Sequence, residues 1–294
     1  MTAEEIGLLG TAVDDTFFLV AGLVFVFELV RAGLRKRLQV RTFQDMFVSL
    51  TTQLPYLLVE TFVLSGAYLG YVLLSEAWVT WVMPINAWSI AAALLVCDFV
   101  YYWEHRLAHE VRLLWTQHAV HHSSRCMNVM VAIRFGPFEG ITSAIMHLPL
   151  VLLGFPPELV FFGILTVLAY QGWLHTESIG KLGMLEQILN TPSNHRVHHG
   201  CDAKYLDTNY GGILIIWDRL FNTYQAEEES PRFGLKRAFN SVNPLTVWIS
   251  EWPGLLRDLK SVSGWRQAFK ILFAHPDWIN KQGVLNSDTS GKAA

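Results

Sequence analysis

The chain has 294 residues, 52% hydrophobic and only 16% charged, with a mean hydropathy of +0.30. That balance excludes an ordinary soluble domain and points to a membrane protein. A formal net charge of −3 without a long basic run excludes nucleic acid as a partner.

The opening, MTAEEIGLLGTAVDD, is acidic and lacks the positive start of a cleaved signal peptide, so the first apolar segment is expected to stay in place. Segment 17–30 is apolar apart from Glu28, and with its flanks it reaches the roughly 20 residues that cross a bilayer. Arg31, Arg35, Lys36, Arg37 and Arg41 follow it. Because basic residues collect on the cytoplasmic side, they place the N-terminus outside. A second span is predicted over 47–74, long enough to tilt or kink at Pro55, and the loop after it carries Glu76 but no Lys or Arg. A third span, over 85–103, returns inward and ends on Tyr101, Tyr102 and Trp103, at the interface where aromatic residues gather. His105 and His109 then lie at its cytoplasmic end.

Between 106 and 139 the chain is polar and basic and carries His118, His121 and His122. An apolar stretch over 141–173 follows, broken by Pro149 and by Gly154, Phe155, Pro156 and Pro157. Its arms, 141–153 and 158–173, are short for separate crossings, so we read a hairpin that enters and returns on the cytoplasmic side. That reading brings His175 back to the level of His105 as a further ligand candidate. His147, inside the first arm, reads as a buried imidazole bonded to a carbonyl that Pro149 frees, a ligand or channel role being the alternative.

From 180 onward the chain has the character of a soluble face. Thr191, Pro192 and Ser193 start a short helix, with Ser193 as its cap, that displays His195, His198 and His199. Turn residues and aromatics over 205–221 suggest a packed cap above the histidines. Metal-bound imidazoles hand their second nitrogen to a carboxylate or carbonyl, which makes Asp207 and Asp218 candidates for that role; a helix cap or surface ion pair is the alternative for each. Beyond 227 come amphipathic pieces at 255–259 and 265–273 and a polar end. Trp248, Trp252, Trp265 and Trp278 fit contact with the cytoplasmic leaflet or packing on the cap. His275 has no partner at ligand spacing and reads as a surface residue. There is no internal repeat, and the chain divides into a membrane region 1–93, a catalytic region 94–224 and a tail 225–294.

Eight of the eleven histidines fall in three short windows: His105 and His109, then His118, His121 and His122, then His195, His198 and His199. In a helix, residues three and four apart share a face, so each window can aim at least two imidazoles at one point. Eight donors exceed one tetrahedral ion and suit a pair. A zinc hydrolase of the HExxH type would need Glu after the first His, where this chain has Arg106. A haem or metal carrier would set paired histidines deep inside its spans, not at their ends. Cys126 and Cys201 lie near histidine windows and are conceivable thiolate ligands. With Cys97 they form an odd, widely spaced set that argues against a disulfide framework.

The pattern HxxxH, HxxHH, HxxHH on membrane-flanking helices resembles the fatty acid hydroxylase and sterol desaturase superfamily over residues 94–223. The passage through His175-Thr176-Glu177, Thr191-Pro192-Ser193, His195-Arg196-Val197-His198-His199-Gly200, Asn209-Tyr210-Gly211 and Trp217-Asp218 is most similar to its alkylglycerol monooxygenase-like members. The resemblance implies an all-α integral membrane bundle, about three spans plus the hairpin, with a cytoplasmic histidine-rich cap holding two non-haem iron ions. It implies His105, His109, His118, His121, His122, His195, His198 and His199 as ligands with His175 as a ninth, dioxygen as cosubstrate, and a reduced pterin or a redox protein as electron donor. The reaction it implies is hydroxylation of a membrane lipid, an ether lipid among the candidates, with lipid or sterol desaturation as the alternative. Sterol-processing members often carry His-Pro where this chain has Gly136-Pro137.

Overall fold

The structure, a computed structural model, describes residues 1–36 and 38–277. Arg37 of the basic cluster, Trp278 and the polar end of the tail lie outside the described residues. Helix α1 (Ala3–Leu34) starts on a reciprocal cap: Thr2 Oγ1 accepts the Glu5 amide at 3.2 Å while Glu5 Oε2 accepts the Thr2 amide at 2.8 Å. Helix α2 (Val40–Trp78) runs on through Pro55. Both are long and apolar enough to cross a membrane, and they hold Phe18, Leu19, Leu23, Leu54, Leu58 and Phe62 outward and exposed. Water does not tolerate so continuous an apolar surface, which marks a membrane protein.

Helix α3 (Ala87–Glu110) is started by Asn86, whose side chain accepts the amides of Trp88 and Ser89. Among the described residues only α1 and α2 combine span length with span apolarity; α3 carries Asp98, Glu104 and Arg106 from its middle onward. It is one unbroken rod, so its last turns hold His105 and His109 rigidly. The chain then turns at Val111 into α4 (Arg112–His122).

The two apolar arms form α5 (Glu139–Leu152) and α6 (Pro157–Tyr170). The first packs on α2, the second on α1 and α3, around a core that includes Cys97, Leu150, Val151, Phe155 and Leu159. A short 3-10 turn, Gln171–Trp173, then delivers His175. Helix α7 (Pro192–His198) is capped by Thr191, not Ser193: Thr191 Oγ1 accepts the Asn194 amide at 3.3 Å. Proline has no N–H to be capped and its fixed φ suits the first helical position, which moves the cap one residue ahead of it.

After α8 (Ile216–Leu220) the tail folds into α9 (Pro244–Trp248), α10 (Trp252–Lys260) and α11 (Trp265–Phe273), which lean on α4. Arg112 ties them down, its guanidinium donating to Asp258 at 2.5 Å and its amide to the Ala274 carbonyl at 2.9 Å. Trp248 packs inward and donates to the Phe135 carbonyl at 3.2 Å, whereas Trp265 is exposed. Among the described residues there is no strand, only two isolated bridges.

Candidate metal centre

All nine predicted histidines are buried and converge between α3, α4, α7 and the turn after α6. Their donor atoms form two groups, each with every atom within 4.8 Å of the others: His105, His109, His118, His122 and His198 in one, His121, His175, His195 and His199 in the other. Helix geometry explains the division. His118 and His122, four apart on α4, face the first group and His121 faces the second; on α7 the sense is reversed, with His195 and His199 in the second group and His198 in the first.

The outer nitrogens fix the tautomers. The Nδ1–H groups of His105, His175 and His198 donate to the carbonyls of Tyr210, Gln171 and Thr208 at 2.9, 3.0 and 3.0 Å, and that of His121 to the Arg134 carbonyl at 3.2 Å. His118 Nδ1 faces Glu139 Oε2 at 3.4 Å. A carbonyl only accepts, and a neutral imidazole has one N–H, so each of these rings turns an Nε2 lone pair inward.

Those lone pairs then face each other. His105 Nε2 lies 3.0 Å from His118 Nε2 in the first group, and His121 Nε2 lies 3.1 Å from His175 Nε2 in the second, with no proton left to place between them. Nor would the site hold an extra proton readily. Burial, and after it the neighbouring imidazoles, drives His105, His121, His122, His195, His198 and His199 well below the ordinary histidine range. Burial likewise takes His109 down to about 4 and His175 to about 3. His109 Nε2 is buried without any hydrogen-bond partner. A metal cation in each group resolves every one of these contacts. Two imidazole nitrogens about 2.1 Å from one ion and at right angles lie about 3 Å apart. The donors therefore fit two metal ions of the nitrogen-seeking class.

Residues 90–223 match the family described as fatty acid hydroxylase. The chain carries a fatty acid hydroxylase domain. Human alkylglycerol monooxygenase is 36% identical over 87% of this chain and 57% of its own length. The zebrafish (Danio rerio) alkylglycerol monooxygenase is 41% identical over 66% of the chain and 43% of its own, and an ornithine lipid hydroxylase of Rhizobium tropici 39% over 47% and 42%. The chain thus spans about half the length of the curated relatives it matches. No solved structure matches.

Within the hydroxylase domain the two candidate carboxylates differ in reach. Asp207, in a left-handed turn at φ 58°, lies 3.7 Å from His109 Nδ1 and 3.5 Å from His275 Nε2, so His275 is not the unpartnered surface residue its sequence position suggests. Asp218 touches no histidine of the centre. It accepts the amides of Tyr210 and Gly211 at 2.7 and 2.8 Å and the Thr223 hydroxyl at 2.7 Å, thereby fixing the loop whose Tyr210 carbonyl receives His105. His147 stays outside both groups. Its carbonyl partner is Ser143 at 3.0 Å, one turn back on α5, rather than one freed by Pro149. Neither Cys126 nor Cys201 belongs to either group.

Sequence reasoning missed Glu139, which bonds His118 and also accepts the Gly136 amide at 2.9 Å. Its signal was present as the one carboxylate just ahead of the apolar hairpin. It also missed two buried anchors. Arg196, inside the third histidine window, pairs with Glu227 through two bonds of 2.8 and 2.7 Å and donates to the carbonyls of Thr176 and Ile179, locking α7 to the loop after His175. Arg134, fully buried, donates to Asp45 on α2 at 2.8 Å and so holds in place the carbonyl that His121 uses. Two cavities reach the centre. A small one of about 90 Å³ touches His105, His118, His121 and His175, and a larger one of about 660 Å³ touches His109, His122, His198 and His199.

Proposed function

We propose that the chain is a membrane-bound monooxygenase that uses two iron ions and dioxygen to hydroxylate a lipid C–H bond. The observation that carries this reading is the double set of facing imidazole lone pairs, 3.0 Å apart in one group and 3.1 Å in the other, buried where a cation alone can reconcile them. His105, His109, His118, His122 and His198 would hold one ion, and His121, His175, His195 and His199 the other. Iron held there supplies the redox chemistry that reduces dioxygen and oxidises an unactivated carbon. The balance is one C–H bond, one dioxygen, two electrons and two protons in; one C–OH and one water out.

The chain's own part is to hold and to exclude. Carbonyls of Tyr210, Gln171, Thr208 and Arg134 keep His105, His175, His198 and His121 in the tautomer that leaves the inner nitrogen unprotonated. Burial of all nine rings limits the water that reaches the inner nitrogens, which protects an oxidant from side reactions. The small cavity, walled by Leu64, Ile164, Leu165 and Leu168, suits the reacting part of a lipid whose chain stays in the bilayer. The names of the relatives favour an alkylglycerol, and the family resemblance favours attack next to its ether oxygen. Electrons would come from a reduced pterin or a redox protein by way of the larger cavity. A sterol substrate is disfavoured at one position: a side chain on Gly136 would come within 2.6 Å of the Gln117 carbonyl, so the imidazole common in sterol-processing members has no room.

In the membrane we place three spans, at 17–30 with its flanks, 47–74 and 85–103, with α5 and α6 as a hairpin on the cytoplasmic side. The N-terminus lies outside, the histidines and tail inside, and the chain divides at 1–93, 94–224 and 225–294. Metal analysis of the purified chain, followed by turnover under heavy-isotope dioxygen, tests the reading. Two irons per chain and one labelled oxygen in the lipid product are expected. One zinc per chain overturns it, and an unlabelled product two hydrogens lighter replaces it with desaturation.

A further inference from the structure

The small cavity has a second wall that the metal chemistry does not use. Three helices each send a carboxylate to it: Glu60 from α2, Glu104 from α3 and Glu139 from α5. Glu139 is occupied, by the Gly136 amide and His118. The other two have capacity to spare. Glu60 is only 8% exposed, yet its Oε2 is buried and has no hydrogen-bond partner, and the same is true of Glu104 Oε2. Its nearest cation candidate, His147 Nδ1, stands off at 3.8 Å and already serves Ser143.

An unsatisfied carboxylate inside an apolar bundle is costly, and ionisable groups at that depth mark a binding function. The fold also makes room for this one. A Cβ on Gly140 would fall 1.8 Å from Glu60 Oε2 and 2.3 Å from Oε1, so α5 gives up a side chain where the carboxylate lies. Among the described residues no lysine or arginine lines the cavity, and the missing hydrogen-bond donors must come from the ligand. A phosphate offers only acceptors and would meet carboxylates at close range. The Tyr101 hydroxyl and the Gln171 amide are already committed, to Gln171 Oε1 at 2.9 Å and to the Val167 carbonyl at 3.1 Å, and an ammonium would have to shed its whole hydration shell in a largely apolar cavity, a cost that pairing with a carboxylate need not repay. A hydroxyl supplies the donor without that cost.

We propose that this cavity is the head-group site of the enzyme, that Glu60 and Glu104 bind the free hydroxyls of an uncharged lipid head, and that they reject phosphorylated heads. The assignment rests on the reading of the chain as a lipid hydroxylase and gives that reading its selectivity. The apolar wall then takes the first carbons of the chain, and the bond next to the head comes to lie beside His105, His118, His121 and His175.

The test uses the full chain, iron-loaded, in lipid nanodiscs, without oxygen or reductant. Binding is measured for three probes with one alkyl chain: a monoalkyl glycerol ether, its phosphate monoester, and the same chain with a primary-amine head. The glycerol ether should bind best. Glu60→Gln should weaken it roughly tenfold, the worth of one buried hydrogen bond, and narrow its lead over the phosphate. Bound iron should stay unchanged, since Glu60 touches no histidine of the centre. Gly140→Ala, which displaces the Glu60 carboxylate without altering it, should shift the ratio of the two affinities in the same direction. That ratio is independent of the fraction of folded protein. Equal binding of ether and phosphate by the unaltered chain, preference for the amine, or an unchanged ratio in both variants would overturn the proposal. Turnover with labelled dioxygen separates the two ideas: selective binding without oxygen incorporation sinks the hydroxylase and leaves the site standing, whereas hydroxylation blind to the head group does the reverse.

Discussion

At the level of single residues, the inner nitrogens of the centre have no neighbour able to replace them. Substitution of His109, His122 or His199 by alanine is therefore expected to abolish turnover and lower bound iron, read by metal analysis. His275→Ala, which removes only a partner of Asp207, should keep its iron. Glu139→Gln removes the negative charge facing His118 and is expected to cost roughly 10- to 100-fold in iron affinity or activity with helix content unchanged. The pH response has a definite sign. A group whose folded pKa is depressed stabilises the fold above its unfolded value and loses that contribution as pH falls toward the folded one. His109 and His175 drop from 6.5 to about 4 and about 3. Iron retention and thermal stability should hold above pH of about 6.5 and fall progressively below it as protons claim the imidazoles. Iron retained in full at pH of about 4 would contradict this assignment of neutral rings.

Among the helices, the contacts that matter join parts of the chain far apart in sequence. Asp45 of α2 meets Arg134, with side chains 3% and 0% exposed, and Ser124 also donates to Asp45 at 2.5 Å. Deleting one partner of a buried pair leaves the other charged and uncompensated. Asp45→Ala is thus expected to cost about 3–5 kcal/mol in stability, measured by chemical unfolding in detergent, and to loosen His121 through the Arg134 carbonyl. Replacement of both partners by apolar residues of similar volume should cost much less. The same logic makes the Arg196–Glu227 pair the tie that keeps α7, and with it His195, His198 and His199, against the rest of the centre.

Across the whole molecule, an outward apolar surface on α1 and α2 meets a polar, histidine-bearing half. If the proposed orientation holds, a tag at position 38 and one at the C-terminus will be accessible from the same side of the membrane and a tag at position 2 from the other. Accessibility of positions 38 and 2 from one side would reject it. Metal removal should be felt globally too. A ligand that binds only the folded chain adds stability in proportion to the logarithm of its concentration over its dissociation constant, so chelation should lower the melting temperature and added iron should restore it.

What the sequence determined by itself was local. The three histidine windows, the apolar runs at 17–30 and 47–74, the hairpin arms and even His175 were legible, because helical period and hydropathy are properties of adjacent residues. The same locality explains the errors. Ser193 reads as a cap by its side chain alone, whereas Pro192 occupies the first helical position and moves the cap to Thr191, and His275 reads as solitary because Asp207 lies 68 positions away along the chain. Only the tertiary structure decided that the nine rings divide five and four, since that depends on how α4 and α7 oppose each other across the centre. It alone chose the carbonyls of Tyr210, Gln171, Thr208 and Arg134 as partners, for every residue has a carbonyl and none advertises it in its side chain. And it alone gathered Glu60, Glu104 and Glu139 around one cavity, because helices distant in sequence meet through packing of their apolar faces, a long-range outcome that no short window of residues contains.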